Sequence, residues 1–84
     1  MENRIAVIGI IVENTDSADR LNDILHEYGE YIIGRMGVPY RERGISVISV
    51  AVDAPIDVVD ALAQKVAALP DVSASTACSN IAFA

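Results

Sequence analysis

Ile5-Ala6-Val7-Ile8 recurs 40 residues later as Ile45-Ser46-Val47-Ile48, and the match runs on to Val12 over Val52 and Glu13 over Asp53. With one extra residue, Leu21 meets Leu62, Leu25 meets Val66, Tyr28 meets Leu69 and Tyr31 meets Val72. A period near 40 in only two copies is too short an array for a solenoid, which needs several stacked repeats to bury its faces. Two copies of a strand–helix–strand unit leave this trace.

Each half reads that way locally. Residues 4–13 are apolar and rich in β-branched side chains, which suit a pleated strand. Thr15 or Asp16 stands where a helix cap is needed. Ala18, Leu21, Leu25 and Tyr28 then recur at helical spacing, and Gly29 is expected to end the helix in the left-handed conformation. Residues 30–38 return as a strand. In the second half, residues 45–53 form a strand and Pro55 opens a helix, where its missing N–H costs nothing. Val59, Leu62, Val66 and Leu69 make its buried stripe, and Pro70 stops it. Residues 71–79 are the last strand, running on toward Phe83. The order βαββαβ predicts an α+β, ferredoxin-like sandwich in which residues 1–84 form one domain. Right-handed crossovers place both helices on one face of a four-stranded antiparallel sheet, with the first and third strands central.

Two helices cover only one face, and the other should be polar at alternate positions. Here both parities of the first strand are apolar: Ile5, Val7, Gly9 and Ile11 on one side, Ala6, Ile8, Ile10 and Val12 on the other. The third strand is similar, relieved by Ser46 and Ser49. Monomers seldom leave so large an apolar patch bare. The second face is therefore expected to be buried in a homo-oligomer, a dimer or a tetramer. The alternative is an exposed face softened by small residues (Ala6, Gly9, Ser46, Ser49, Ala51).

Composition agrees with this reading and removes several functions. The 84 residues are 52% hydrophobic and 21% charged, rich for a chain that buries only a little over ~60% of its unfolded surface. Six Lys and Arg against 12 Asp and Glu leave a net charge of −6. That is the wrong sign for a protein that binds nucleic acid directly, because phosphate contacts need basic charge. One cysteine and one histidine exclude a disulfide scaffold and a zinc site built by a single chain. The apolar run Ile5–Val12 is far below the ~20 residues that span a bilayer, and Glu13 and Asn14 follow it where a signal peptide would carry small residues. A cytoplasmic protein without membrane contact is expected, and the free Cys78 fits a reducing compartment.

Catalytic equipment is sparse. His26 lies near the C-terminal end of the first helix, where the cationic form of an imidazole interacts favourably with the helix dipole. Cys78 has no second cysteine or histidine near it in sequence. Neither is assigned a metal, and no cofactor is expected. Asp16, Asp19, Asp23 and Glu27 follow one another at helical spacing away from the apolar stripe, as do Asp57 and Asp60, which marks solvated faces. No nucleophile–base pair is visible, so an enzyme is not expected.

One stretch departs from the repeat: Gly34-Arg35-Met36-Gly37-Val38-Pro39-Tyr40-Arg41-Glu42-Arg43-Gly44. It joins the two units and concentrates half of the basic residues of an acidic chain. Arginine offers a planar fork for carboxylate or phosphate, and Tyr40 adds an aromatic surface beside it. Arg35, Tyr40, Arg41 and Arg43 are the candidate binding residues of an anion-binding or partner-docking loop. The other reading is an assembly clasp, with the arginines paired to acids of a neighbouring subunit. The stretch lacks the Gly-Lys-Ser/Thr ending of a phosphate loop.

Arg4 to Val12, Asn22-Asp23-Ile24-Leu25-His26-Glu27-Tyr28-Gly29 and Tyr31 to Gly44, followed by Ile45 to Pro55, resemble the family of iron-only hydrogenase system regulators across essentially the whole chain. Members look like an ACT-like domain of ferredoxin-like fold, similar to the ligand-sensing C-terminal half of the nickel-responsive regulator. The resemblance implies an oligomeric, non-catalytic module of the iron-only hydrogenase system, expected to act as a regulatory domain that senses a small ligand at subunit interfaces, an anionic one if the arginines above contact it. Alternatively, it implies a scaffold that docks on a hydrogenase maturation protein. Nickel-responsive regulators carry an N-terminal ribbon–helix–helix DNA-binding domain and several nickel-binding His and Cys side chains. Here the first strand begins at Arg4, and one His and one Cys are available. Amino-acid-binding ACT domains commonly place a glycine between first strand and first helix, where this chain has Glu13-Asn14-Thr15-Asp16. Any regulation is thus expected to pass through a partner rather than through DNA, and amino-acid sensing is not carried over.

Overall fold

Alternate residues of the first strand are sorted to opposite faces by the period-two pleat, and a computed structural model, which describes residues 2–83, shows which set the helices cover. Ala6, Ile8, Ile10 and Val12 are at most 3% exposed, whereas Val7 and Ile11 are about two-fifths exposed. The elements are β1 (Asn3–Val12), α1 (Asp16–Glu27), a 3-10 turn (Gly29–Tyr31), β2 (Ile32–Tyr40), β3 (Ile45–Pro55), α2 (Ile56–Ala67) and β4 (Val72–Cys78). The sheet order is β2-β3-β1-β4, antiparallel throughout. This is the expected ferredoxin-like sandwich, with the first and third strands central.

The register explains the spacing of the repeat. Gly9 lies directly opposite Ser49, its own equivalent 40 residues on, so an internal pseudo-two-fold axis passes between them, perpendicular to the sheet. On the covered side Val50, Val52 and Ala54 of β3 join the inward set of β1. Leu21 and Leu25 of α1 and Val59, Leu62 and Val66 of α2 close over them, all fully buried. Each buried Val, Leu or Ile contributes about 1.5–3 kcal/mol.

Four local expectations are corrected. Thr15 occupies the cap position of α1 but makes no side-chain cap bond. Asn14 caps instead, its Oδ1 accepting the Asp16 N–H at 2.9 Å, because an Asn side chain can bond the backbone two residues on. Gly29 is not left-handed; α1 passes into a right-handed 3-10 turn, and among the described residues only Asp71 (φ 56°) and Gly44 (φ 65°) have positive φ. Asp71 reverses the chain after α2 while its carbonyl accepts the Glu13 N–H at 2.9 Å. Strand β2 runs from 32 to 40 rather than from 30 to 38, so it starts after the 3-10 turn and reaches two residues further into the stretch that joins the repeats. Pro39 is tolerated there because β2 is an edge. Finally, β4 ends at Cys78, and after a break Phe83 rejoins the sheet through two bonds with Asn3, of 2.6 and 2.7 Å.

Polar contacts tie the layers at their ends. Buried Ser17 donates its hydroxyl to the Pro70 carbonyl at 2.7 Å, joining the start of α1 to the loop after α2. At the other end Lys65 of α2 lies 3.1 Å from Glu27 of α1 and over the Tyr28 ring. Hydrogen bonding to Tyr28 and then to Glu27 raises the Lys65 pKa above its ordinary 10.5. A raised ammonium pKa means this tie is complete at neutral pH and is lost only as pH climbs through the folded-state value.

Strands of 10 or 11 residues reach about 35 Å, whereas helices of 12 residues span about 18 Å. The β2–β3 hairpin therefore runs past the helices, and every residue from Ile33 to Gly44 is exposed. Leu62→Ala should lower unfolding stability by about 2–5 kcal/mol in urea titration, the cost of a core cavity. Gly44→Val should cost about 1–2 kcal/mol, because a Cβ disfavours its left-handed backbone.

Candidate functional site: an uncovered sheet face and a basic hairpin

The pairing register lays the uncovered face out in rows across the four strands. From β4 to β2 the central row is Ser75, Gly9, Ser49, Met36, and the next toward the hairpin is Ser73, Ile11, Val47, Val38. On the other side lie Ala77, Val7, Ala51 and Gly34, where a bulge between Ile32 and Gly34 shifts the register of β2. Tyr40 and Ile45 close the hairpin end. Six of the ten exposed large hydrophobics among the described residues lie on this face: Val7, Ile11, Val47, Met36, Val38 and Tyr40. Of the small residues expected to soften it, Gly9, Ser49 and Ala51 do so. Ala6 and Ser46 have the opposite parity and point toward the helix side.

The face is not flat. Gly9 has no side chain and Ser49 and Ser75 beside it have short ones, so the middle sinks into an open hollow of about 410 Å3 walled by Ile11, Val47, Ser49, Ser73 and Ser75. The lining is apolar apart from the serines. Sequence reading found the apolar parity but not this hollow. Its signal was present, since the repeat-equivalent positions Gly9 and Ser49 both carry small side chains.

The four candidate binding residues do not converge. Arg35 shares the parity of Val50 and points toward the helix side, where its Nη2 donates to Asn22 Oδ1 of α1 at 2.8 Å. Tyr40 lies on the uncovered face about 17 Å further along the strand, and its hydroxyl donates to Glu42 Oε2 at 3.0 Å. Arg41 and Arg43 sit in the exposed four-residue turn that Gly44 closes. Among the described residues no carboxylate stands within ion-pair distance of either. The stretch therefore presents two unpaired guanidinium groups at its tip, with Tyr40 beside them, while Arg35 is bonded to α1.

Other polar groups are already engaged or dispersed. A cleft of about 300 Å3 at the start of α1 is lined by Asn14, Asp16, Ser17, Arg20 and Pro70, but Asn14 and Ser17 are used in the turn bonds described above. His26 is exposed in the last turn of α1 and Cys78 is exposed at the end of the edge strand β4. Among the described residues no group of three or more His, Cys, Asp or Glu side chains is placed to hold a metal ion. No helix among them is long and apolar enough to cross a membrane.

The fold just described recurs in known proteins. Residues 4–76 match the TM1266-like family, described as "Iron-only hydrogenase system regulator, putative", and the chain belongs to that family. The uncharacterized protein TM1266 from Thermotoga maritima has a similar structure, with a TM-score of 0.88 and 27% identity over 92% of this chain and 98% of that one. A formyltetrahydrofolate deformylase from Pseudomonas putida KT2440 is similar over 92% of this chain and 29% of its own, with a TM-score of 0.66. At 14% identity that likeness carries the fold alone. No curated protein matches the chain in sequence.

Because Arg41 and Arg43 have no side-chain partner among the described residues, replacing both by alanine should change unfolding stability by no more than about 0.5 kcal/mol. Arg35→Ala should cost slightly more, about 0.5–1 kcal/mol, through loss of the bond to Asn22. Chemical denaturation of the three proteins in parallel checks both.

Proposed function

We propose that this protein is a non-catalytic, homo-oligomeric regulatory domain of the iron-only hydrogenase system, and that it senses a small anionic ligand at its hairpin. The observation that carries the reading is the uncovered sheet face. An apolar surface with side chains two-fifths to two-thirds exposed is stabilised when it is removed from water, by about 25 cal/mol for each Å2 buried. Pairing with another copy of the same chain provides that cover. Family membership supplies the system in which the regulation takes place. The ligand class comes from Arg41 and Arg43, whose guanidinium groups are free to fork onto a carboxylate or phosphate, with Tyr40 at their base.

A second reading keeps the oligomer and gives the hairpin another task. The tip stands clear of both helices and is exposed on all sides, which also suits docking on an acidic patch of a hydrogenase maturation protein. The two readings separate in the Arg41→Ala, Arg43→Ala double variant. If a carboxylate or phosphate metabolite raises the melting temperature of the wild type and not of the variant, the hairpin senses a ligand. If no metabolite acts and the variant loses capture of a maturation protein, the hairpin docks.

Self-association has its own test. Sedimentation equilibrium at micromolar concentration should give a multiple of the monomer mass. Ile11→Lys, which puts a charge in the middle of the face, should give a folded monomer with association weakened at least about 100-fold, the effect of burying an unpaired ammonium. A wild-type monomer would sink this part of the proposal.

A further inference from the structure

Building on the self-association just proposed, we infer that the occupant of the sheet face is a second copy related by a two-fold axis along the strands, each copy seating its Met36 in the hollow at Gly9 and Ser75 of the other. The argument rests on side-chain size across the rows. The β4 side is small in every row (Ser73, Ser75, Ala77), whereas the β2 side carries Met36 and Val38. Met36 is the most exposed large hydrophobic side chain in the described part of the molecule, at 66%.

Two isologous arrangements bring the faces together, and the internal pseudo-two-fold makes them alike in backbone. With the axis across the strands, β2 lies on β2 and β4 on β4. Met36 then collides with the partner's Met36, and the two serine edges face each other across a gap that no side chain fills. With the axis along the strands, β2 lies on β4 and β1 on β3. The large edge of each copy then meets the small edge of the other. Ile11 packs on the partner's Val47, and Met36 reaches from the side into the space left by Gly9, Ser49 and Ser75. Methionine suits such a space because its unbranched chain adapts to an irregular hollow. Aligned sheets cross at about −30°, a rotation that keeps these rows in register near their centre.

The area is sufficient. At ordinary strand spacing and rise the face presents roughly 500 Å2 in projection on each copy, so pairing buries about 1,000 Å2 in all, the size at which specific interfaces begin. Asp53, the one carboxylate of β3 on this face, lies in the outermost row opposite Ile5, away from the hollow.

A coupling experiment and a cross-linking experiment test the arrangement. A Cβ at Gly9 would meet only the Ser75 carbonyl, at 3.8 Å, an ordinary contact, so Gly9→Leu is expected to fold, as circular dichroism should show, with its side chain in the hollow. Gly9→Leu and Met36→Ala should each weaken dimerisation roughly 10- to 100-fold. The double variant should recover at least about tenfold of the summed loss, because the added leucine then occupies the space that methionine vacates. Strictly additive losses overturn the pairing of these two residues. For the axis, Met36→Cys and Ser75→Cys chains are mixed, both also carrying Cys78→Ser, and treated with a short bismaleimide, since sheets about 10 Å apart hold thiols beyond disulfide reach. Cross-links between unlike chains support the axis along the strands. Cross-links between two Met36→Cys chains overturn it in favour of the other axis. Absence of both, in a sample that sediments as an oligomer, overturns the face as the interface and leaves self-association standing. A wild type that sediments as a monomer defeats this inference together with the reading beneath it.

Discussion

The antiparallel pairing of β1 with β3 about Gly9 and Ser49 is the constraint on which the rest of the structure depends. It joins the two repeats into one sheet, and by its register it fixes which alternate residues face the helices. A slip of one residue would exchange the two faces. In many strands such a slip is opposed because it would expose the apolar set. Here both sets are apolar, and discrimination falls on details: the helices meet Ile8, Ile10, Val50 and Val52, while the outward set includes Gly9, Ser49 and Asp53.

Helix length sets the second division. Twelve-residue helices cannot follow the central strands to their ends, so the hairpin leaves the helix layer and becomes sheet with no cover on either side. Its exposure is a consequence of geometry, and the residues found there fit it. Pro39 and the bulge near Ile32 spoil the β2 edge for further strand pairing, and Arg41 and Arg43 keep the tip soluble. Apolar Met36, Val38 and Tyr40 are confined to the face that continues the sheet. The protein thus has a closed side stabilised by its own helices and an open side that those helices leave uncovered.

TM1266 matches almost end to end at 27% identity, and the deformylase matches through less than a third of its length at 14%. A two-layer α+β core tolerates wide substitution so long as volume and alternation are kept. Agreement at such low identity says that the fold is common. The open face and the hairpin are where a function would be written, and they are read from this chain's own residues.

The sequence by itself determined the element order, the sheet topology and the inward stripes of both helices, because the 40-residue repeat and the helical spacing of Leu21, Leu25, Leu62 and Val66 are local patterns. It also showed that both faces of the central strands are apolar. Asn14 rather than Thr15 as the cap was decided by a local side-chain contact. Asp71 rather than Gly29 as the left-handed residue and the run of strand β2 on through 39–40 were decided by the strand pairing and chain reversals of the fold, which override weak local preferences. The site divided in the same way. That Arg35, Tyr40, Arg41 and Arg43 are neighbours in sequence was legible, but strand pairing sends Arg35 toward α1 and Tyr40 to the opposite face. Alternation on a strand separates residues that a loop would keep together. Only the register between strands could bring Gly9, Ser49 and Ser75 into one row with Met36. Such a row is built from four distant segments, and no single stretch of sequence contains it.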